Sequence, residues 1–271
     1  LENSIYLLLA NSYYQLDEVD ISMNYYEKIL SNNANFLQKA QAYNGIGSCY
    51  FMNTQLDSAK YYYEKGLQMC YSNNCRMHTR VGQMLMNIGH LYKAQGNYSD
   101  SRNEFKYALL IFENKDNGQN KKVSEIYGAI GSIDIIEENY ESALLYLIKE
   151  KDILGKLYDF KNTTFVNFYL DKALIYYQLN DFMLAKNNIN SAIKIIEKNY
   201  SKSHYLNSFA NTTLASIYLK TNNLEKAKKI LSEVIAIESK SKYPSEYLGD
   251  AYCILGDCLL KQFNANKAIT Y

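Results

Sequence analysis

No tryptophan occurs in the 271 residues, and there is a single proline, Pro244. With only 12 glycines beside it, the chain has few positions at which a helix must break. Histidine is scarce too. His78, His90 and His204 are not accompanied by a nucleophile elbow, a phosphate loop or a paired zinc-ligand motif, so no catalytic residue is predicted. Acidic pairs such as Glu137 and Glu138 fall at an expected solvent-facing turn, where a surface charge is the default. The five cysteines form no framework, and their odd number predicts reduced thiols and a cytoplasmic compartment. Because the first residue is leucine, a leader upstream stays open, and with it a periplasmic location. Cys70, Cys75 and His78 come nearest to metal-ligand spacing, but no fourth ligand lies near, so they are read as packing residues. Neither a metal nor a cofactor is predicted.

Charge of one sign is also missing. Twenty-nine basic and 28 acidic residues are mixed throughout for a net charge of +1, which leaves no electrostatic footprint for a nucleic-acid backbone. No apolar run approaches the ~18 residues a membrane-spanning helix needs. The polar run from Asn114 to Lys122 reads as a solvated loop.

What the chain has is a period. Ala10, Gly47, Gly89, Gly131, Ala173, Ala215 and Gly256 recur at separations of 37, 42, 42, 42, 42 and 41 residues, each inside an apolar helical pattern. Twelve residues beyond each stands a second small residue: Ser22, Ala59, Ser101, Ala143, Ala185, Ala227 and Ala268. Three residues beyond stands a tyrosine in five of the seven copies, and sixteen beyond a large apolar residue: Tyr26, Tyr63, Phe105, Leu147, Ile189 and Leu231. Eight beyond stand Glu18, Gln55, Asn97, Asn139, Asp181, Asn223 and Asn264, the expected turn and cap before a second helix. The unit is therefore helix, tight turn, helix. The 28 tyrosines are expected to fill the gaps between helices and to leave their hydroxyls at the rim.

This order of small and large residues resembles the tetratricopeptide repeat. The period of about 42 exceeds the usual ~34, and the consensus tryptophan and closing proline are absent. In this the chain resembles the extended arrays in the sensor and scaffold regions of bacterial regulators. The resemblance implies an all-α, right-handed superhelical solenoid of antiparallel helix pairs, about seven repeats with the last incomplete, forming one domain over 1–271. The termini carry no polar capping helix, so the chain reads as a piece of a longer protein whose output lies elsewhere.

The same resemblance places the first helix of each repeat on a concave face. It carries a peptide- or protein-binding role onto Asn11, Tyr14, Asn44, Ser48, Phe51, His90, Lys93, Tyr177 and Lys220, while Leu170, Leu174, Ile135 and Ile136 are assigned to the core. The basic clamp by which chaperone-binding relatives hold an acidic tail would need a base three residues before the small residue. Here those positions are Leu7, Asn44, Met86, Gly128, Leu170, Thr212 and Cys253. The expected partner is thus a protein or an extended peptide held through its backbone, with no nucleic acid and no membrane bound by this segment. The alternative is a structural module for homo-oligomer or homodimer assembly without a groove ligand.

Overall fold

The computed structural model describes residues 2–114, 120–241 and 244–269, with side chains described up to 263. Residues 115–119 of the polar run and the side chain of Ala268 of the small-residue series lie outside what is described. Thirteen α-helices and no strand occur among the described residues. They are α1 (Glu2–Gln15), α2 (Val19–Ser31), α3 (Phe36–Met52), α4 (Leu56–Ser72), α5 (Thr79–Ala94), α6 (Tyr98–Glu113), α7 (Lys121–Ile136), α8 (Tyr140–Leu157), α9 (Phe165–Gln178), α10 (Phe182–Asn199), α11 (Tyr205–Lys220), α12 (Leu224–Glu238) and α13 (Tyr247–Ile269). They fall into two compact units, Leu1–Ile133 and Asp134–Tyr271.

One turn is built six times. The residue seven beyond the first small residue has a left-handed backbone: Asp17, Thr54, Gly96, Glu138, Asn180 and Asn222, with φ of 61°, 60°, 75°, 61°, 60° and 59°. Its N–H donates to the carbonyl three residues back, as Asn180 does to Tyr177 at 3.0 Å. The following N–H donates to the carbonyl five residues back, as Asp181 does to Tyr176 at 2.8 Å. This is the Schellman arrangement, which satisfies the last carbonyls of the first helix and reverses the chain into the second.

The second helices start where the polar series predicts, after Glu18, Gln55, Asn97, Asn139, Asp181 and Asn223. The expectation that most of these side chains cap a free amide is corrected. Only Asn97 and Asp181 do so, accepting from the N–H of Asp100 at 3.3 Å and of Leu184 at 3.0 Å. The turn holds ψ at these positions between 59° and 75°, far from the extended backbone that favours capping, and the two that bond have the most open values. Asn35, with ψ of 162°, forms a full capping box with Gln38 ahead of α3.

Packing follows size complementarity. The second small residues Ser22, Ala59, Ser101, Ala143, Ala185 and Ala227 are wholly buried, and so, within 3% exposure, are the six large residues four positions further on. Where the large residue is an aromatic ring, glycine stands opposite: a Cβ on Gly47 would lie 2.6 Å from the Tyr63 ring, and one on Gly89 would lie 2.8 Å from Phe105. Gly82, seven residues before Gly89, meets Phe112, seven residues after Phe105, which fixes α5 and α6 as antiparallel. Where serine takes the second small position it returns its hydroxyl to the first, from Ser22 to the Ala10 carbonyl at 2.8 Å and from Ser101 to the Gly89 carbonyl at 2.7 Å. Tyrosines seal the outer seams, with Tyr13 stacked on Tyr25 at 5.7 Å and Tyr50 on Tyr62 at 5.3 Å. Lys28 and Lys65 lie over the Tyr25 and Tyr61 rings.

The seventh repeat departs from the sequence expectation. A turn is expected at Asn264, yet α13 runs without a break from Tyr247 to Ile269. The position that is left-handed in the other six repeats is here Phe263.

Candidate functional site

The first helices of the two units differ in chemistry. In the first unit they carry a lateral polar network. Asn87 on α5 donates its amide to Asn44 Oδ1 on α3 at 2.9 Å and lies 3.4 Å from Ser48 Oγ, while Gln83 donates to Asn87 Oδ1 at 3.2 Å. Ser48 also accepts from the Tyr63 hydroxyl at 3.3 Å, so the network reaches back to the buried ring of the second helix. Asn11 accepts from the Tyr26 hydroxyl at 2.6 Å in the same way one repeat earlier. Tyr14 is half-buried against the core of the first two repeats, and Phe51 is half-buried near the end of α3. Lys93 donates to Ser132 Oγ on α7 at 2.5 Å.

The histidines have structural tasks. His78 and His204 cap α5 and α11, accepting on Nδ1 from the N–H of Arg80 and of Leu206. His90 lies edge-on to Phe105 at 5.0 Å. Burial, with the nearby Lys93 charge, pulls its pKa down to about 4 and keeps it neutral near pH 7. It is thus a packed, uncharged side chain of α5. Cys75 donates Sγ to the Cys70 carbonyl at 3.1 Å within the turn that ends α4. Among the described residues no group of three or more His, Cys, Asp or Glu is placed to hold a metal ion, and no helix is long and apolar enough to cross a membrane.

In the second unit the first helices line a pocket of about 330 Å³. Leu174 and Tyr177 of α9, Phe209, Thr212, Thr213 and Ser216 of α11, and Tyr247, Asp250, Cys253 and Ile254 of α13 line it. Three successive first helices therefore contribute to one cavity. The hydroxyl protons of Thr212, Thr213 and Ser216 are given to helix carbonyls at 2.8 to 3.1 Å. Thr212 and Thr213 are largely buried, and the Asp250 carboxylate and the apolar side chains of Leu174, Phe209 and Ile254 complete the lining.

Of the residues expected in the groove, Asn44 and Ser48 join one network and Tyr177 joins the pocket. Asn11, Lys93 and His90 have separate partners, and Lys220 is exposed at the end of α11. The core assignments are corrected in part. Leu170 is buried, but Leu174 is half-exposed in the pocket and Ile136 is 50% exposed, because five residues past the small residue the helix is in its last turn. Asn87, Thr213 and Ile254 were missed by the offsets used. All three stand two residues before a small residue, a helical position adjacent to those counted.

The architecture is an α-helical repeat fold of seven first helices and six second helices among the described residues. The tetratricopeptide-repeat family model matches residues 4–36, 82–115, 166–199 and 210–241, and the chain is a tetratricopeptide-repeat protein. No curated protein matches its sequence. Among solved structures it is similar to BtubC (BKLC) from P. vanneervenii, with 15% identity over 86% of this chain and 93% of that one and a TM-score of 0.65. It is similar to the quorum sensor NprR from B. thuringiensis, with 16% identity over 93% and 68% and a TM-score of 0.73. A putative kinesin light chain with TPR-like repeats from Podosopora anserina matches at 14% identity over 77% and 98%, with a TM-score of 0.59.

Proposed function

We propose that this protein is a peptide-binding scaffold, the ligand-recognition part of a larger bacterial regulatory protein, and that the pocket on α9, α11 and α13 is its principal binding site. The observation that carries this reading is the pocket's composition: an apolar floor of Leu174, Phe209 and Ile254 beside the hydroxyls of α11 and the Asp250 carboxylate of α13, with lining residues from three successive first helices. An extended peptide matches both parts. Its backbone N–H groups donate to the threonine and serine oxygens, and one apolar side chain fills the floor. Asp250, the charged residue of the lining, favours a basic group beside that side chain. In the first unit, the outward edges of Asn44, Ser48 and Asn87 offer a second, polar stretch of wall of the kind that holds a peptide backbone. The fold shared with a protein described as a quorum sensor supports the regulatory setting.

Selection of short peptides from a displayed random library against the whole chain tests this. The reading expects selected sequences that pair an apolar side chain with a basic neighbour. Their binding should be lost in Tyr177→Ala and in Ser216→Trp, which fills the pocket, with the melting midpoint little changed. Selected peptides that bind both variants as well as wild type would sink it.

A further inference from the structure

The turn that ends α4 repeats, at the close of a second helix, the arrangement that ends the first helices. Asn74 is left-handed at φ of 55°, and its N–H donates to the Tyr71 carbonyl at 3.1 Å. The next N–H, that of Cys75, donates five residues back to the Cys70 carbonyl at 3.0 Å. Among the described residues Asn74 alone has a positive φ outside the six first-helix turns.

In this arrangement the residue that donates the longer bond brings its side chain against the residue that accepts it. In the first-helix turns the pair is unlike, as in Tyr176 with Asp181 and Tyr218 with Asn223. At the end of α4 both members are cysteine. Cys75 Sγ donates to the Cys70 carbonyl at 3.1 Å, and the two thiols lie within hydrogen-bonding reach of one another. A disulfide asks for Cα atoms about 4.4–6.8 Å apart and side chains that converge, and two residues clasped by a backbone bond with their thiols in contact present that geometry. Cys70 is wholly buried, whereas Cys75 is partly exposed.

We infer that Cys70 and Cys75 form a redox modification site, which a small-molecule disulfide such as glutathione disulfide closes to an intramolecular disulfide. Burial and the adjoining Cys75 push the Cys70 thiol up to about 12, so the first attack belongs to Cys75. The Cys75 thiolate, its proton given to solvent, attacks one sulfur of glutathione disulfide. A mixed disulfide forms, and one glutathione thiolate leaves and takes up a proton. Cys70 then gives up its proton and attacks Cys75 Sγ, which releases the second glutathione. Two cysteine thiols are oxidised, and one glutathione disulfide is reduced to two thiols. Contact between the sulfurs offsets the low thiolate fraction of Cys70, and the Arg80 charge in the first turn of α5 favours that thiolate. Arg80 also donates Nε to Gln41 Oε1 on α3 at 3.2 Å, so the linked joint between α4 and α5 adjoins a contact that holds α5 to α3. The site is separate from the peptide reading above and does not depend on it.

Equilibration of the whole chain with mixtures of glutathione and glutathione disulfide tests this. Trypsin cuts after Lys65 and Arg76, so both cysteines fall on one peptide, Gly66–Arg76. After free thiols are blocked with N-ethylmaleimide, that peptide should appear unlabelled and about 2 Da lighter than its reduced form. Glutathione disulfide should close the pair more readily in the native chain than in concentrated urea, with the half-point shifted more than about tenfold in the squared-glutathione to glutathione-disulfide ratio. A link that the fold favours must favour the fold in return, so the oxidised chain should melt at a higher temperature than the reduced one. In Cys70→Ala the reaction should stop with glutathione held on Cys75. A native peptide that keeps both thiols, or one that retains glutathione on Cys75 with Cys70 free, overturns the inference. So does an equal half-point in native and unfolded chains, or an oxidised chain that melts lower.

Discussion

Glu150 lies on α8 with 6% of its surface exposed, and its Oε2 has no hydrogen-bond partner among the described residues. Burial pushes its carboxyl up to about 8, and the Asp171 carboxylate on α9 pushes in the same direction. In the unfolded chain the same group titrates near its ordinary 4.5. Between those values the folded state retains a proton that the unfolded state has released, so stability falls as pH rises. One proton corresponds to about 1.4 kcal/mol per pH unit. From pH 6.5 to 8 the second unit should therefore lose about 2 kcal/mol to this group. Glu150→Gln keeps the shape and removes the titration. Urea midpoints of wild type and variant, measured at pH 6.5 and at pH 8, isolate the effect, because any constant packing cost cancels in the difference. The wild type should lose stability across this window and the variant should not. An equal pH dependence of the two proteins would refute the assignment of a protonated, buried Glu150.

His90 gives the opposite sign in the first unit. Its folded pKa of about 4 lies below the ordinary 6.5, so stability is lost as pH falls from 6.5 towards 4, and His90→Gln should flatten urea midpoints across that window. Ala185 is wholly buried where α9 and α10 meet, and Ala185→Leu should overpack that contact at a cost of about 1–3 kcal/mol in a thermal melt. Thr54 is a β-branched residue held at φ of 60°, so Thr54→Gly should raise the melting midpoint, by about 0.5–1 kcal/mol after the added glycine entropy is counted. Peptide affinity measured from low to high salt should change modestly, because the groove side carries no basic stripe; a steep fall with salt would point to a different ligand class.

Much of the fold is legible because it is repeated. A small residue that must touch a neighbouring helix leaves the same mark in each copy, and the large residue sixteen positions on is tied to it, so seven copies make the register plain. The starts of the second helices were equally readable from one polar position. The left-handed residue before them was not, since Asp17, Thr54, Gly96, Glu138, Asn180 and Asn222 share a backbone geometry without sharing a chemistry. The seventh repeat was not legible in this way either, since α13 runs on through Phe263 and Asn264 where the polar series marks a turn. The candidate site was readable only as a set of offsets. Offsets identified Tyr177, but lateral bonds such as that from Asn87 to Asn44, and hydroxyls turned back onto their own helix, depend on neighbours about 40 residues away in sequence.

The central claim, that the groove side of the second unit receives a peptide, is tested most directly by locating a bound peptide on the surface. A photoreactive phenylalanine in place of Tyr177 should attach a selected peptide on irradiation, and the same probe in place of Lys194, exposed on α10, should not. Attachment at position 194 without attachment at position 177 would contradict the claim and move binding to the second-helix face.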